Sequence, residues 1–388
     1  MYDIETKCIH LEEKGETCDK SGAISFPIYQ TATYAHLGLG KSTGYDYSRL
    51  QNPTREQVEK IVANLEGGID AVAFSSGMAA ISALMEIFEP GDEIIVDEDL
   101  YGGSVRLFAN VNAKNGIKTV AIDINKENVE DYITENTKAI YFETPTNPMM
   151  NVIDIRKMAA IAKKHHLLLV VDNTFLSPYF QNPLKLGADV VVHSGTKYLG
   201  GHNDTLAGFV VSSNAKVAEK IRDIIKTTGA GLAPFDSWLI LRGIKTLALR
   251  MEKSQENAIK LANWLKERAD VTRVIYPGLE EHPGHEVLKQ TAKGFGAMIT
   301  FEVTSPALVE NVLEKVKLIR FAESLGGVET LITYPIKQTH ADVPPEQLAK
   351  NGITDRILRL SVGIENVEDL IHDLEQAFLV EYKSRNSA

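Results

Sequence analysis

The amino-acid sequence predicts an α/β protein. It has an open, mostly parallel seven-stranded sheet in a larger domain, a smaller α+β domain towards the C-terminus, and an extended N-terminal arm. Three observations predict this. Seven short apolar runs rich in Val and Ile recur along the first two thirds of the chain: AVAF (71–74), EIIV (93–96), TVAI (119–122), AIYF (139–142), LLLVV (167–171), DVVV (189–192) and GFVV (208–211). Such runs, apolar on both faces, suit strands of a parallel sheet covered by helices. The stretches between them, on the order of 20–30 residues, suit helical crossovers. After about Trp238 the texture changes to a long pattern of three- and four-residue apolar spacing, the signature of amphipathic helix.

Residues 1–50 show little periodicity and much Gly, Ser, Thr and Tyr. They are expected to form an arm with one short helix. From Gln57 to Leu65 the pattern is helical, closed by Gly67-Gly68, and opens an α/β domain over 51–240. The C-terminal domain, 241–388, starts in the helical stretch IKTLALRMEKSQENAIKLANWLKERA. It continues through VTRVIYPG, MITFEV, IRFAES and ILRLSVG, interleaved with helices such as ALVENVLEKV and VEDLIHDLEQAFLVEY. No repeat or low-complexity linker separates the parts, so they are expected to associate tightly.

A chain of 388 residues is too long for one core. Its 44% hydrophobic and 24% charged composition is that of a globular protein. A net charge of −11 argues against nucleic acid or an anionic membrane as partner, although a local pocket can still bind a small anion. Cys8 and Cys18 are read as free thiols in a reducing compartment. The opening MYDIETKCIHLEE lacks the apolar core of a signal peptide, and no stretch approaches the roughly 20 apolar residues of a membrane span. A cytoplasmic protein is expected.

Ligands of open α/β sheets collect beyond the carboxyl ends of the strands, and several ends here carry polar residues. AVAF runs into Ser75-Ser76-Gly77-Met78 and a helix, which is either a common strand–Gly–helix turn or a helix N-terminus that receives a phosphate. LLLVV runs into Asp172-Asn173-Thr174, where the carboxylate serves as a cap or pairs with a bound cation such as a protonated pyridine ring. DVVV runs into His193-Ser194-Gly195-Thr196-Lys197-Tyr198. A lysine at the edge of an apolar sheet is desolvated and becomes a nucleophilic amine, and Ser194 and Thr196 flank it with hydroxyls. AIYF runs into Glu143-Thr144-Pro145-Thr146-Asn147-Pro148, whose prolines restrict the loop that carries the Asn147 amide. Tyr101-Gly102-Gly103 follows EIIVDEDL, with Gly allowing close approach beneath an aromatic ring.

Phosphate cup, cation-binding Asp, nucleophilic Lys and stacking Tyr together describe a site for pyridoxal 5'-phosphate (PLP). The sequence resembles the transsulfuration branch of the fold-type-I PLP enzymes over about residues 5–380. The likeness runs through YDYSRLQNPTR (45–55), FSSGMAA (74–80), DLYGGS (99–104), ETPTNP (143–148), VVDNTF (170–175), VVHSGTKYLGGH (191–202), FAESLGGVETL (321–331) and RLSVGIE (359–365). The resemblance implies an aldimine at Lys197, a ring nitrogen held protonated by Asp172, and a ring stacked by Tyr101. It implies a phosphate bound by Gly77, Met78, Ser194 and Thr196, with Tyr47 and Arg49 reaching the site of a neighbouring subunit in a homotetrameric dimer of dimers. Arg359 would grip the substrate α-carboxylate, with Ser324 and Asn147 orienting it. No metal is implied.

Members of this family differ at the distal end of their amino-acid substrates. Arg106 lies where γ-synthases and cystathionine γ-lyases also have Arg, suited to a distal carboxylate. Glu323 and Asp46 suit a distal ammonium. The alternative is that all three are rim charges paired with one another or with water. Gly103 and Glu323 depart from methionine γ-lyases, which tend to have Cys and an apolar residue there. The resemblance implies formation or cleavage of cystathionine. The first choice is γ-replacement on an O-acylhomoserine by cysteine. The alternatives are cystathionine γ- or β-elimination and, further off, O-acetylhomoserine sulfhydrylase or methionine γ-lyase activity. An intact Lys197, Asp172, Tyr101 and Arg359 speak against a cofactor-binding scaffold without activity, and a Schiff-base aldolase without PLP would use the lysine but leave the phosphate cup and Asp172 unexplained.

Overall fold

The computed structural model describes residues 2–10, 22–341 and 343–379. Seven strands build the larger sheet: β1 (Asp70–Phe74), β2 (Glu93–Asp97), β3 (Lys118–Ile122), β4 (Thr137–Glu143), β5 (Leu168–Asp172), β6 (Val190–Ser194) and β7 (Gly208–Ser212). Their spatial order is β1-β7-β6-β5-β4-β2-β3. Only β7 runs against its neighbours, β1 and β6; the remaining pairs are parallel. All seven predicted runs are strands.

Side chains alternate between the faces of a strand, and both faces here are covered. Val72, Phe74, Val96, Tyr141, Val170 and Val192 pack with the helix Gly77–Met85. Ile95, Ile140, Phe142, Leu169 and Val171 pack on the other side with the helix Ile155–Lys164. Fully burying one such side chain contributes about 1.5–3 kcal/mol, which is why the runs show no polar alternation. Six strands share one direction, so the carboxyl ends of β1, β4, β5 and β6 lie along one edge.

The helix after the arm spans Pro53–Glu66, starting four residues before the periodic pattern. Asn52 explains the difference: its side chain accepts from Thr54 N and Arg55 N, and Pro53 opens the first turn. Gly67, at φ +78°, ends the helix. Among its described residues the arm has one short helix, Ile4–Ile9, and one isolated bridge, Thr33 to Tyr47, between residues 22 and 50. Cys8 is a buried free thiol pushed up to about 12, chiefly by burial, and so stays protonated at neutral pH. Cys18 lies outside the described residues.

The second sheet contains β8 (Val271–Ile275), β9 (Met298–Val303), β10 (Arg320–Phe321), β11 (Leu331–Thr333) and β12 (Ile357–Ser361), in the order β10-β11-β12-β9-β8. β11 is too short to show a period in the sequence, yet it brings Thr333 opposite Arg359 of β12. The long helical stretch is the helix Leu247–Lys266, preceded by a separate helix, Pro234–Ile244. Among the described residues no helix is long and apolar enough to cross a membrane, and no cluster of three or more His, Cys, Asp or Glu could hold a metal ion.

Candidate active site

β1 turns through Ser75-Ser76 into the helix Gly77–Met85. Ser76 caps it, its Oγ accepting from Ala79 N at 3.1 Å, and the N–H groups of Gly77 and Met78 lie at the mouth, beyond the reach of intrahelical acceptors. This corner is pressed onto the ends of β6 and β7: a Cβ on Gly77 would come within 2.9 Å of Ser194 Cβ, and one on Gly208 within 2.0 Å of Ser76 O. Only glycine permits that approach. The backbone donors and the Ser194 hydroxyl therefore share one positive corner suited to a phosphate. Thr196 Oγ1 sits beside Ala207, accepting from its N at 3.1 Å, and holds the turn into β7.

Asp172 ends β5. Its Oδ1 accepts from Thr174 N at 3.0 Å and Thr174 Oγ1 at 2.6 Å. Thr174 Oγ1 also accepts from Ser194 N at 2.9 Å, tying Asp172 to the anion corner. Burial raises the Asp172 carboxyl above its ordinary value, while the Thr174 hydrogen bonds and His193 oppose the rise. A carboxyl in this setting gains most from a cationic partner.

Lys197 lies just past β6, and its Nζ donates to Ser324 Oγ at 2.8 Å. Burial first, then the charge of Arg359, lower it from 10.5 to about 8 against the opposing pull of Glu323. A useful neutral-amine fraction is thereby present near neutral pH. Ser324 adopts φ +92°, a conformation that side-chain-bearing residues hold only where their surroundings impose it. Arg359, 1% exposed, joins the pieces. It donates to Asn147 Oδ1 at 2.6 Å, Ser324 O at 3.0 Å and Thr333 Oγ1 at 3.1 Å, and its buried Nε has no partner among the described residues.

Tyr101, partly exposed, precedes the helix Gly102–Leu107. Its ring folds over Gly103, where a Cβ would come within 2.4 Å of Tyr101 Cε1 and 2.9 Å of Met78 Sδ. Gly103 thus seats the aromatic ring beside the anion corner. The Tyr101 hydroxyl and Glu323 both favour the charged form of Arg359. Glu323 and Ser324, with Ser75 and Thr196, line an open cleft of about 1080 Å³. Arg106 is exposed on the helix after Tyr101.

The structure does not bring every predicted residue into this group. Asp46 pairs with His36 at 2.8 Å and accepts from Ser42 Oγ. Arg49 donates to Lys226 O and stacks over Tyr47 at 5.6 Å. All three are exposed on the arm.

Other residues emerge only in three dimensions. His340 is buried, and burial together with Arg359 lowers it to about 4, so it is neutral. Its Nε2 lies 3.1 Å from Asn147 O and its Nδ1 2.8 Å from Thr339 Oγ1. A carbonyl only accepts, so Nε2 carries the hydrogen and Nδ1 accepts from Thr339. His193 meets Glu66 at 2.6 Å in the core beneath the site. Glu143 is buried beside Asp172. Nothing in the local pattern singles out His340 or Thr333, because their partners lie 193 and 26 residues away.

The family model described as Cys/Met metabolism PLP-dependent enzyme matches residues 5–379. Cystathionine gamma-lyase of Bacillus subtilis is 50% identical over 374 residues, 96% of this chain and 98% of that one. Cystathionine beta-lyase of Lactococcus lactis is 49% identical over 379 residues, 97% of this chain and 99% of that one. Among solved structures, cystathionine gamma synthase from Xanthomonas oryzae pv. oryzae, in complex with aminoacrylate and cysteine, matches with a TM-score of 0.94 at 39% identity. The match covers 97% of this chain and 98% of that one.

Proposed function

Because the chain belongs to the PLP-dependent enzymes of cysteine and methionine metabolism, we propose that it makes or breaks C–S bonds of cystathionine. Its first reaction is γ-replacement, in which cysteine sulfur displaces the acyloxy group of an O-acylhomoserine. One observation carries the amino-acid chemistry common to both readings: Lys197 Nζ donates to Ser324 Oγ, while Arg359 donates to Ser324 O and to Asn147 Oδ1, so amine and guanidinium meet at one residue.

The residues fit PLP. The corner where Gly77 packs against Ser194 sets backbone donors beside a hydroxyl, a donor set suited to a phosphate, and Asp172 is a partly buried carboxyl, raised by desolvation, that a cation would stabilise. Lys197 is a partly neutral amine within the same edge. Bound PLP supplies an electron-poor ring that stabilises negative charge at the substrate's amino-bearing carbon. Gly77, Met78, Ser194 and Thr196 would hold its phosphate, Asp172 its ring nitrogen, Tyr101 its face and Lys197 its carbonyl carbon.

Lys197 Nζ then takes and returns protons at the substrate carbons, and Ser324 steers the amine. Arg359 receives the substrate α-carboxylate, for which its unpartnered Nε and fork geometry are suited. Asn147 and Ser324 are held by the same guanidinium. Arg106 and Glu323 recognise the distal carboxylate and ammonium of cystathionine. The arm, residues 1–50, lends Asp46, Tyr47 and Arg49 to the site of a second copy, because the chain's own contacts leave them exposed and apart from Lys197. The catalytic unit is then a dimer, and two dimers pair in a tetramer.

Elimination from cystathionine is the second reading, favoured by the lyase names of relatives 49% and 50% identical. The purified holoprotein is assayed with cystathionine alone, then with an O-acylhomoserine plus cysteine. Accumulating cystathionine supports γ-replacement. Release of cysteine and 2-oxobutyrate, or of homocysteine and pyruvate, without any synthesis replaces it with γ- or β-elimination. No turnover in either direction sinks both.

A further inference from the structure

Glu143 ends β4 and stands in register with Asp172 at the end of β5. Partnered residues of parallel strands face the same way, so the two carboxyls are neighbours on one face of the sheet. Glu143 is buried, the backbone N–H groups of Tyr101 and Asn147 point at its carboxyl, and its Oε1 has no partner among the described residues. Burial, then Asp172 and Asp99, drive it towards the protonated form, well above the ordinary carboxylate range.

We propose that Glu143 is a neutral carboxylic acid that positions Tyr101 and Asn147 and leaves Asp172 as the single negative charge beneath the cofactor ring. The inference rests on the reading of Asp172 given above.

Of two carboxyls sharing one site, one has its pKa strongly raised and holds its proton. Asp172 has two hydrogen bonds from Thr174 that favour its charge, and His193 favours it further. Glu143 has two backbone amides on one side and two acids near it. The proton therefore resides on Glu143. Its carbonyl oxygen accepts from the two amides, and the oxygen without a partner carries the hydrogen. Tyr101 and Asn147 belong to different segments, one opening the helix Gly102–Leu107 and the other in the loop after β4. The acid fastens both. Asn147 is gripped on each side of its backbone, its N–H facing Glu143 and its C=O held by His340. Its side chain is thus presented to Arg359 at 2.6 Å. Glu143 is a positioning residue: it acts through Tyr101 and Asn147.

The test is infrared difference spectroscopy on the holoprotein at neutral pH, wild type minus Glu143→Gln and wild type minus Asp172→Asn. A carboxylic-acid C=O stretch lost in Glu143→Gln and retained in Asp172→Asn is expected. No such band, or a band lost only in Asp172→Asn, overturns the assignment. In steady-state kinetics Glu143→Met should lower kcat/KM for the amino-acid substrate at least tenfold, chiefly through KM. Glu143→Gln, which can still accept and donate, should recover most of that loss. A Gln variant as damaged as Met, with the cofactor's visible band intact in both, would show that the ionised carboxylate is needed and would also overturn the proposal. Should Glu143→Met not fold, the infrared comparison still decides. Because the infrared readout needs no turnover, an enzyme inactive on cystathionine would refute the reaction assigned above without touching Glu143.

Discussion

Arg359 offers the most discriminating perturbation, because its guanidinium is proposed to receive the substrate carboxylate and, after burial, its charge lowers Lys197. Arg359→Lys keeps a positive charge but replaces the fork with one ammonium, which cannot serve Asn147 Oδ1, Ser324 O, Thr333 Oγ1 and a carboxylate together. Loss of one charge-assisted contact costs about 1.5–3 kcal/mol, or roughly 10- to 150-fold in kcat/KM. The substrate carboxylate is the same in the bound and transition states, so the loss falls on KM. Arg359→Gln removes the charge as well. Arg359 helps to hold Lys197 down at about 8, so its removal raises that value. The pH midpoint for labelling Lys197 in the apoprotein with an acylating reagent should then move up in Arg359→Gln and stay near 8 in Arg359→Lys. A KM within threefold of wild type in Arg359→Lys, or an unmoved midpoint in Arg359→Gln, would refute the reasoning.

Asp172→Asn should retain PLP, seen as bound absorbance after dialysis, yet lose several orders of magnitude in kcat. A loss under about tenfold, roughly 1.4 kcal/mol of barrier, contradicts its role. Arg106→Ala should cut cystathionine turnover by about 10- to 150-fold while leaving turnover of small thioethers such as methionine nearly intact; equal losses in parallel assays would make Arg106 structural. Arg49→Ala chains mixed with Lys197→Ala chains should regain activity, since one hybrid site carries both wild-type residues; no recovery despite proven subunit exchange counts against supply by the arm. Asp99 is raised from 3.8 to about 7, first by burial, against hydrogen bonds from Thr146 and Asn151. Between those pH values the folded chain keeps a proton that the unfolded chain has released, so stability falls as pH rises from about 4 to about 7. Asp99→Asn should flatten part of that fall in calorimetric Tm against pH, and an unchanged slope would show that Asp99 does not contribute.

The amino-acid sequence by itself determined the larger sheet and, through its family resemblance, the PLP chemistry of the site. Strands buried on both faces must be apolar throughout, so all seven stand out as Val- and Ile-rich runs. Asp172, Ser194 and Lys197 stand out because a polar residue at the end of such a run is conspicuous. Capping chemistry at Asn52 and Pro53 was legible in principle, although periodicity placed the helix start four residues late. The family resemblance named Ser324, Arg359 and Asn147, but only the tertiary structure decided how they meet the lysine and one another. Ser324 and Lys197 lie 127 residues apart, and Arg359 and Asn147 lie 212 apart. Their contacts come from packing the C-terminal sheet against the carboxyl edge of the larger one. β11 is three residues long and carries no period, so the partnership of Thr333 with Arg359 left no local trace. The protonation of Glu143 is likewise invisible in the sequence, because it arises from burial beside Asp172, and strand register rather than residue type makes those two carboxyls neighbours.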